Sequence, residues 1–302
     1  MNDLLKAAAE RVLLGDGAMG TQLQQAGLES GACGEAWNLD QPERVLAIQR
    51  AYVAAGSDCL ITNTFGASRV MLERHGEGDR VAAINRAGAE LARAAFDGRP
   101  GFVLGDIGPF GGLMEPYGEI SRQTVEAAFR EQAQALVAGG ADAIIVETQT
   151  ALEELELAIT AAREAGARVV IGSIAFDKML DEDDVRTMMG VSPEVAAEFL
   201  VAHGADVAAL NCGTGVDMRM AAAIVRRYRA ACGLPVMAQP NAGQPVLENL
   251  KVVYKQSAEE MAAGLPELLA AGVRIVGGCC GSTPAHIARL RAGVDAARGV
   301  GA

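Results

Sequence analysis

Short apolar runs recur along the chain at positions 12–14, 59–62, 103–105, 143–146, 169–172, 207–210, 236–238 and 274–276. They are largely continuous in Val, Ile, Leu and Ala and lack strict polar alternation, which is the pattern of strands buried on both faces. The intervening segments place apolar residues three and four apart, as amphipathic helices do. Most of these segments stop in similar words, such as Ala55-Gly56-Ser57-Asp58, Gly139-Gly140-Ala141-Asp142, His203-Gly204-Ala205-Asp206 and Ala271-Gly272-Val273. A glycine there accommodates the left-handed turn that ends a helix. Strands alternating with helices predict a parallel sheet covered on both faces, and eight such units favour a closed (β/α)8 TIM barrel over an open doubly wound sheet. No linker, low-complexity stretch or composition break divides the chain, so residues 1–302 are expected to form one domain.

Bulk properties narrow the function classes. A formal charge of -12 argues against a nucleic-acid partner, since a polyanion is held by a concentrated basic surface. The start, Met1-Asn2-Asp3-Leu4-Leu5-Lys6, has no basic segment followed by a long apolar stretch, and no apolar run is long enough to span a bilayer. A cytoplasmic protein without a membrane partner is expected. In that reducing compartment, six cysteines suggest metal binding or reactivity more than a disulfide framework.

In a barrel of this kind, catalytic residues gather at the carboxyl ends of the strands. The chain's unusual polar residues fall there: Asp16, Thr62 to Phe65, Asp106, Glu147 and Thr148, Cys212, Asn241, and the pair Cys279 and Cys280. Neighbouring side chains in a regular strand point to opposite faces, so the adjacent cysteines can share a metal only where the strand has ended. Gly277, Gly278 and Gly281 bracket the pair and supply the dihedral freedom of such a turn. With Cys212, the three thiolates would form a cup for zinc with its fourth position open to a substrate. The alternative is three small core residues, because free cysteine is often buried. Cys33, Cys59 and Cys232 show no ligand-like spacing.

Gly15 to Thr21, Thr62-Asn63-Thr64-Phe65, Gly105-Asp106-Ile107-Gly108-Pro109, Glu147-Thr148, Asn211-Cys212-Gly213, Pro240-Asn241-Ala242-Gly243 and Gly277-Gly278-Cys279-Cys280-Gly281 follow one another along nearly the whole chain. In this order they resemble the homocysteine S-methyltransferase family, which includes the betaine-dependent enzymes and the homocysteine module of cobalamin-dependent methionine synthase. The resemblance implies a zinc-dependent transferase in which homocysteine, its thiolate bound to zinc, attacks a methyl group and becomes methionine. Cys212, Cys279 and Cys280 would hold the zinc, and Asn241 would occupy the open position until homocysteine displaces it; a turn residue is the other reading of Asn241. Asp16 and Glu147 would receive the substrate ammonium, or else serve as solvated loop acids or helix caps. The backbone amides of Gly17 and Ala18 would receive its carboxylate, since a glycine turn at a helix start offers N–H groups to an anion.

The methyl donor is less directly written. Betaine needs an aromatic cage, and where betaine enzymes carry aromatics beside the second and fourth strand motifs this chain has Gly66 and Thr148. Trp37 and Tyr117 remain available for a cation. The Asn38-Leu39, Thr62 to Phe65 and Gly105 to Pro109 pieces resemble the methionine synthase module more closely, which favours methylcobalamin on a separate corrinoid protein, because nothing after the last helix, ending near Gly299, is expected to bind a corrinoid. S-methylmethionine and related sulfonium compounds, or another small thiol or selenol acceptor, are alternatives. A non-enzymatic zinc-binding or thiol redox-sensing barrel, with Cys279 and Cys280 forming a vicinal disulfide, is the rival from another class. The acidic stretch 180–184, Asp181 to Asp184 above all, is read as solvated loop or as a docking surface.

Overall fold

A computed structural model describes residues 3–180, 184–248 and 251–299. Eight parallel strands form its centre: β1 (Leu13–Leu14), β2 (Cys59–Ile61), β3 (Phe102–Ile107), β4 (Ala143–Gln149), β5 (Val170–Ile174), β6 (Val207–Asn211), β7 (Val236–Gln239) and β8 (Ile275–Val276). Each overlaps one of the eight apolar runs. Their hydrogen-bonded order is β1-β8-β7-β6-β5-β4-β3-β2, with helices between successive strands. Asp58 N–H to Leu14 O, 2.7 Å, bridges the remaining seam between β1 and β2. The result is a nearly closed (β/α)8 barrel.

The period-two rule of a strand sorts every side chain to one of two cores. One set, including Leu14, Leu60, Val103, Ile144, Val146, Val170 and Ala208, packs outward against the helices. The other, including Leu13, Cys59, Leu104, Ile145, Ile171, Ala209, Met237 and Ile275, fills the barrel interior, where Leu4 and Ala8 of the first helix, Leu4–Glu10, plug the amino-terminal end. Following the inward set one step further along each strand brings Asp106, Glu147, Ser173, Asn211 and Gln239 to the carboxyl end. An apolar floor therefore gives way to a polar layer. The strands carry this layer themselves: β3 runs through Asp106 and β4 through Glu147, positions that the sequence pattern had placed in loops after shorter strands. A polar residue stays within a strand there because its side chain faces a cavity and not the apolar interior.

The helix-stop words have a mechanical purpose at the opposite end. Asp58, Asp142 and Asp206 each donate a backbone N–H to, and accept a backbone N–H from, one residue of the preceding strand: Leu14, Val103 and Val170 respectively. Each carboxylate is also paired with an arginine, Arg11 and Arg291 on Asp58, Arg93 on Asp142 and Arg163 on Asp206. Arginines hold two further equivalent positions: Arg168 pairs with Asp142 at 3.5 Å, and Arg274 caps the first helix through the carbonyls of Ala8 and Ala9. Among the described residues no helix is long and apolar enough to cross a membrane. Asp181, Glu182 and Asp183 lie outside the described residues, while Asp184 pairs with Arg186 and Arg227 at 3.0 and 3.4 Å.

Asp142 is the most enclosed of the three clasps. Asp142→Ala leaves the Val103 N–H without its acceptor and takes the carboxylate from Arg93 and Arg168, and is expected to lower the unfolding free energy by about 2 kcal/mol, with Asp142→Asn, which can still accept the N–H, losing less. Urea midpoints measure both; an alanine variant as stable as wild type refutes the clasp.

Candidate active site

A cavity of about 410 Å³ opens at the carboxyl ends of the strands, and its wall includes Asp16, Gly17, Ala18, Asp106, Glu147, Cys212, Gln239, Cys279 and Cys280. The three cysteine sulfurs lie within 4.8 Å of one another, and Cys212 Sγ is 3.7 Å from Cys280 Sγ. Two thiolates each about 2.3 Å from a tetrahedral zinc stand about 3.8 Å apart, so this spacing fits the ion. All three sulfurs border the cavity, which leaves a fourth position facing it.

The backbone explains how three side chains meet. β8 ends at Val276, and the chain then turns, anchored by Cys279 N–H to Pro240 O at 2.9 Å and Ala242 N–H to Cys280 O at 3.0 Å. Cys212 follows the end of β6 in a left-handed conformation, φ 56°, with Gly213 at φ 86°. A side chain on Gly213 would run into the Phe176 carbonyl, and one on Gly281 into the Tyr254 ring. Both glycines are therefore required. Tyr254, on the hairpin Pro245–Glu248 and Lys251–Tyr254, thus stands against the cysteine loop.

Asn241 is buried between those two anchoring residues; its Nδ2 donates to Gly213 O at 3.3 Å and its Oδ1 has no protein partner. It adjoins the cysteine loops but is not part of the cavity wall. Asp16 is held by Ile61 N–H on Oδ2, 2.8 Å, with Oδ1 unpartnered. The Ala18 amide departs from expectation: it donates to Ser282 Oγ, 3.1 Å, whose hydroxyl in turn donates to Cys279 O. Ala18 thereby ties the first loop to the cysteine loop, which removes its N–H from anion binding. Gly17 N–H has no protein acceptor among the described residues.

Asn211 was quoted only as a motif letter, yet it joins the two halves of the site. It accepts Thr148 N–H at 3.0 Å and Ser173 Oγ at 2.6 Å, and its Nδ2 donates to Thr148 Oγ1 at 2.7 Å and lies 3.9 Å from Cys279 Sγ. Thr148 sits at φ 56°, inside a register shift of β4 between Val146 and Gln149. Such a bulge re-aims neighbouring side chains, here Glu147. Inward parity along β6 was the signal that could have singled out Asn211. Ser282 and Tyr254 had none.

A family model described as homocysteine S-methyltransferase matches residues 13–294. Methionine synthase of Mycobacterium tuberculosis (strain ATCC 25618 / H37Rv) is 36% identical over 307 residues, covering 97% of this chain and 25% of that protein; methionine synthase of Mycobacterium leprae (strain TN) is 34% identical with the same coverage. The chain thus spans about a quarter of the length of the curated relatives it matches. Among solved structures, the metallated form of the homocysteine methyltransferase MmuM from Escherichia coli matches with a TM-score of 0.78 at 24% identity, over 96% of this chain and 99% of that one. Its oxidized form matches with a TM-score of 0.76 at 25% identity and the same coverage.

Burial dominates the site's acids, and hydrogen bonds among the cysteines dominate its thiols. Desolvation pushes Asp16 and Asp106 well above the usual carboxylate range and Glu147 up to about 7, with the neighbouring Cys212 adding to the last. Thiol hydrogen bonds from Cys212 and Cys279 pull Cys280 down to about 3, while Cys279 is pushed well up. At the adjacent rim, burial raises Glu154 to about 7 against the opposing hydrogen bond from Phe110 N–H. Above the unfolded value of 4.5 the unfolded chain releases this proton first, so the folded state loses stability as pH rises from about 4.5 to about 7. Glu154→Gln keeps the acceptor without the charge; it is expected to match wild type near pH 4 and exceed it at pH 8 by roughly 1 to 3 kcal/mol. Thermal unfolding across that range measures it, and a variant less stable at pH 8 contradicts the assignment.

Proposed function

The chain belongs to the homocysteine S-methyltransferase family, and from that premise we propose that it converts homocysteine to methionine with a zinc ion held by Cys212, Cys279 and Cys280. The convergence of three sulfurs on one face of a cavity carries this reading. When bound, zinc supplies Lewis acidity that favours thiolate over thiol at neutral pH. The chain's own residues orient the amino acid. Asp16 and Glu147 accept hydrogen bonds from its ammonium, and the Gly17 amide donates to its carboxylate, with Ala18 and Ser282 fixing that loop. Asn241, next to the cysteine loops, fills the open ligand position until substrate arrives; its unpartnered Oδ1 supports this assignment.

We propose methylcobalamin, carried by a corrinoid-binding partner, as the methyl donor. Identity with two methionine synthases supports it. So does the cavity wall, where Phe65 is the one aromatic ring among the described residues; a quaternary ammonium calls for more. Trp37 is stacked with Arg44 at 5.2 Å, and Tyr117 is exposed. A sulfonium donor such as S-methylmethionine is the second reading, favoured by carboxyl groups in the wall and the absence there of Lys, Arg or His among the described residues.

One zinc per chain is expected by elemental analysis, lost in Cys212→Ser, Cys279→Ser and Cys280→Ser with unchanged circular dichroism. Methionine formation should fall to background with it. Reduced wild-type protein without stoichiometric zinc would favour the redox-sensing alternative. Offered betaine, S-methylmethionine, methylcobalamin and a methyl-corrinoid protein in turn, the zinc-loaded protein is expected to use the corrinoid donors; methionine from betaine at comparable rates reverses that choice.

Glu147→Gln removes a charge-assisted contact and is expected to raise KM for homocysteine roughly tenfold while leaving zinc content intact. An unchanged KM excludes Glu147 from substrate binding.

A further inference from the structure

Resting on homocysteine as the substrate, we propose that Asp106 is a third acceptor for the substrate ammonium, completing a three-carboxyl socket with Asp16 and Glu147. Asp106 is 2% exposed and borders the cavity. Its backbone is fixed on both sides: its N–H donates to Thr62 Oγ1 at 2.9 Å, and its carbonyl accepts Thr64 Oγ1 at 2.8 Å and Gln132 Nε2 at 3.3 Å. Its carboxyl group, by contrast, has no hydrogen-bond partner among the described residues, and Oδ1 is fully enclosed. Burying such a group unpaired is costly. The side chain holds no other part of the fold in place, so its use lies in what enters the cavity.

Chemistry selects the ligand group. A primary ammonium carries three N–H donors and no acceptor. The wall offers three carboxyls with unfilled acceptor capacity: Asp16 through Oδ1, Asp106, and Glu147, whose side chain receives no protein hydrogen bond. Glu35, the fourth acid of the wall, is already engaged by Gly66 N–H at 2.8 Å and the Cys33 thiol at 3.6 Å. The charge of Glu147 raises both Asp16 and Asp106, and that of Asp16 raises Asp106 further. No cationic side chain of the wall relieves that repulsion among the described residues. A single ammonium seated among the three does so while satisfying each.

Calorimetric titration of zinc-loaded protein with L-homocysteine and with 4-mercaptobutanoate, which lacks the ammonium, separates this from a structural role without needing the methyl donor. Wild type is expected to prefer homocysteine. Asp106→Asn should weaken homocysteine roughly tenfold and leave 4-mercaptobutanoate within about twofold, with metal content and melting temperature near wild type. Equal weakening of both ligands, or of neither, overturns the role of Asp106 while leaving the substrate assignment standing. Wild-type protein that binds neither ligand overturns the substrate assignment and this inference together.

Discussion

Three sulfurs held within 4.8 Å repel one another once ionised, and the carboxyl ends of β6, β7 and β8 are built to impose that proximity. β7 lies between the other two, and the segment at its end bonds both cysteine loops: Gln239 O accepts Cys212 N–H, Pro240 O accepts Cys279 N–H, and Ala242 N–H reaches Cys280 O. One backbone therefore sets the position of all three cysteines. The left-handed conformation at Cys212 costs about 1 to 3 kcal/mol, and these bonds, with the obligatory Gly213, hold it. Strain of this kind is stable only where its surroundings leave no alternative.

The same end of the barrel concentrates negative charge. Asp16 and Asp106 are buried beside the thiol cluster, Glu147 is half-buried there, and the wall that joins them has no Lys, Arg or His among the described residues. Shared protons moderate the charge: Cys212 and Cys280 share a thiol hydrogen bond, and the raised carboxyls retain their protons to higher pH. Such a site is matched to ligands that bring positive charge. A divalent ion between the sulfurs and an ammonium among the acids would answer its two halves separately, and Asn211, tied to Thr148 and approaching Cys279, keeps those halves in register.

Much of this was readable from residue order because a barrel turns sequence periodicity directly into position. Each apolar run became a strand, and glycines around Cys279 and Cys280 marked a turn that lets adjacent side chains share a target. Parity was the unused information. Asp106 and Glu147 stand two residues beyond interior positions of their own strands, so they belong to the inward row; reading polarity as the end of a strand concealed this. The Ala18 amide could not be judged in advance, since its acceptor, Ser282, is 264 residues away in sequence. Tyr254 likewise reaches the cysteine loop only through a hairpin after β7.

The two ends of the barrel use aspartate in opposite ways: half-buried and paired at one end, buried and unpaired at the other. At the amino-terminal ends Asp58, Asp142 and Asp206 each meet an arginine and a backbone N–H, so their charge stabilises the strand entry. At the carboxyl ends Asp106 has a fully bonded backbone and an unbonded carboxyl. A folded chain tolerates that imbalance because the apolar floor and the paired acids below supply stability that the mouth does not. Residue type is shared by both groups. What distinguishes the acids of the cavity is the hydrogen bonds they lack, and a ligand able to provide them gains the free energy that folding alone left unsatisfied.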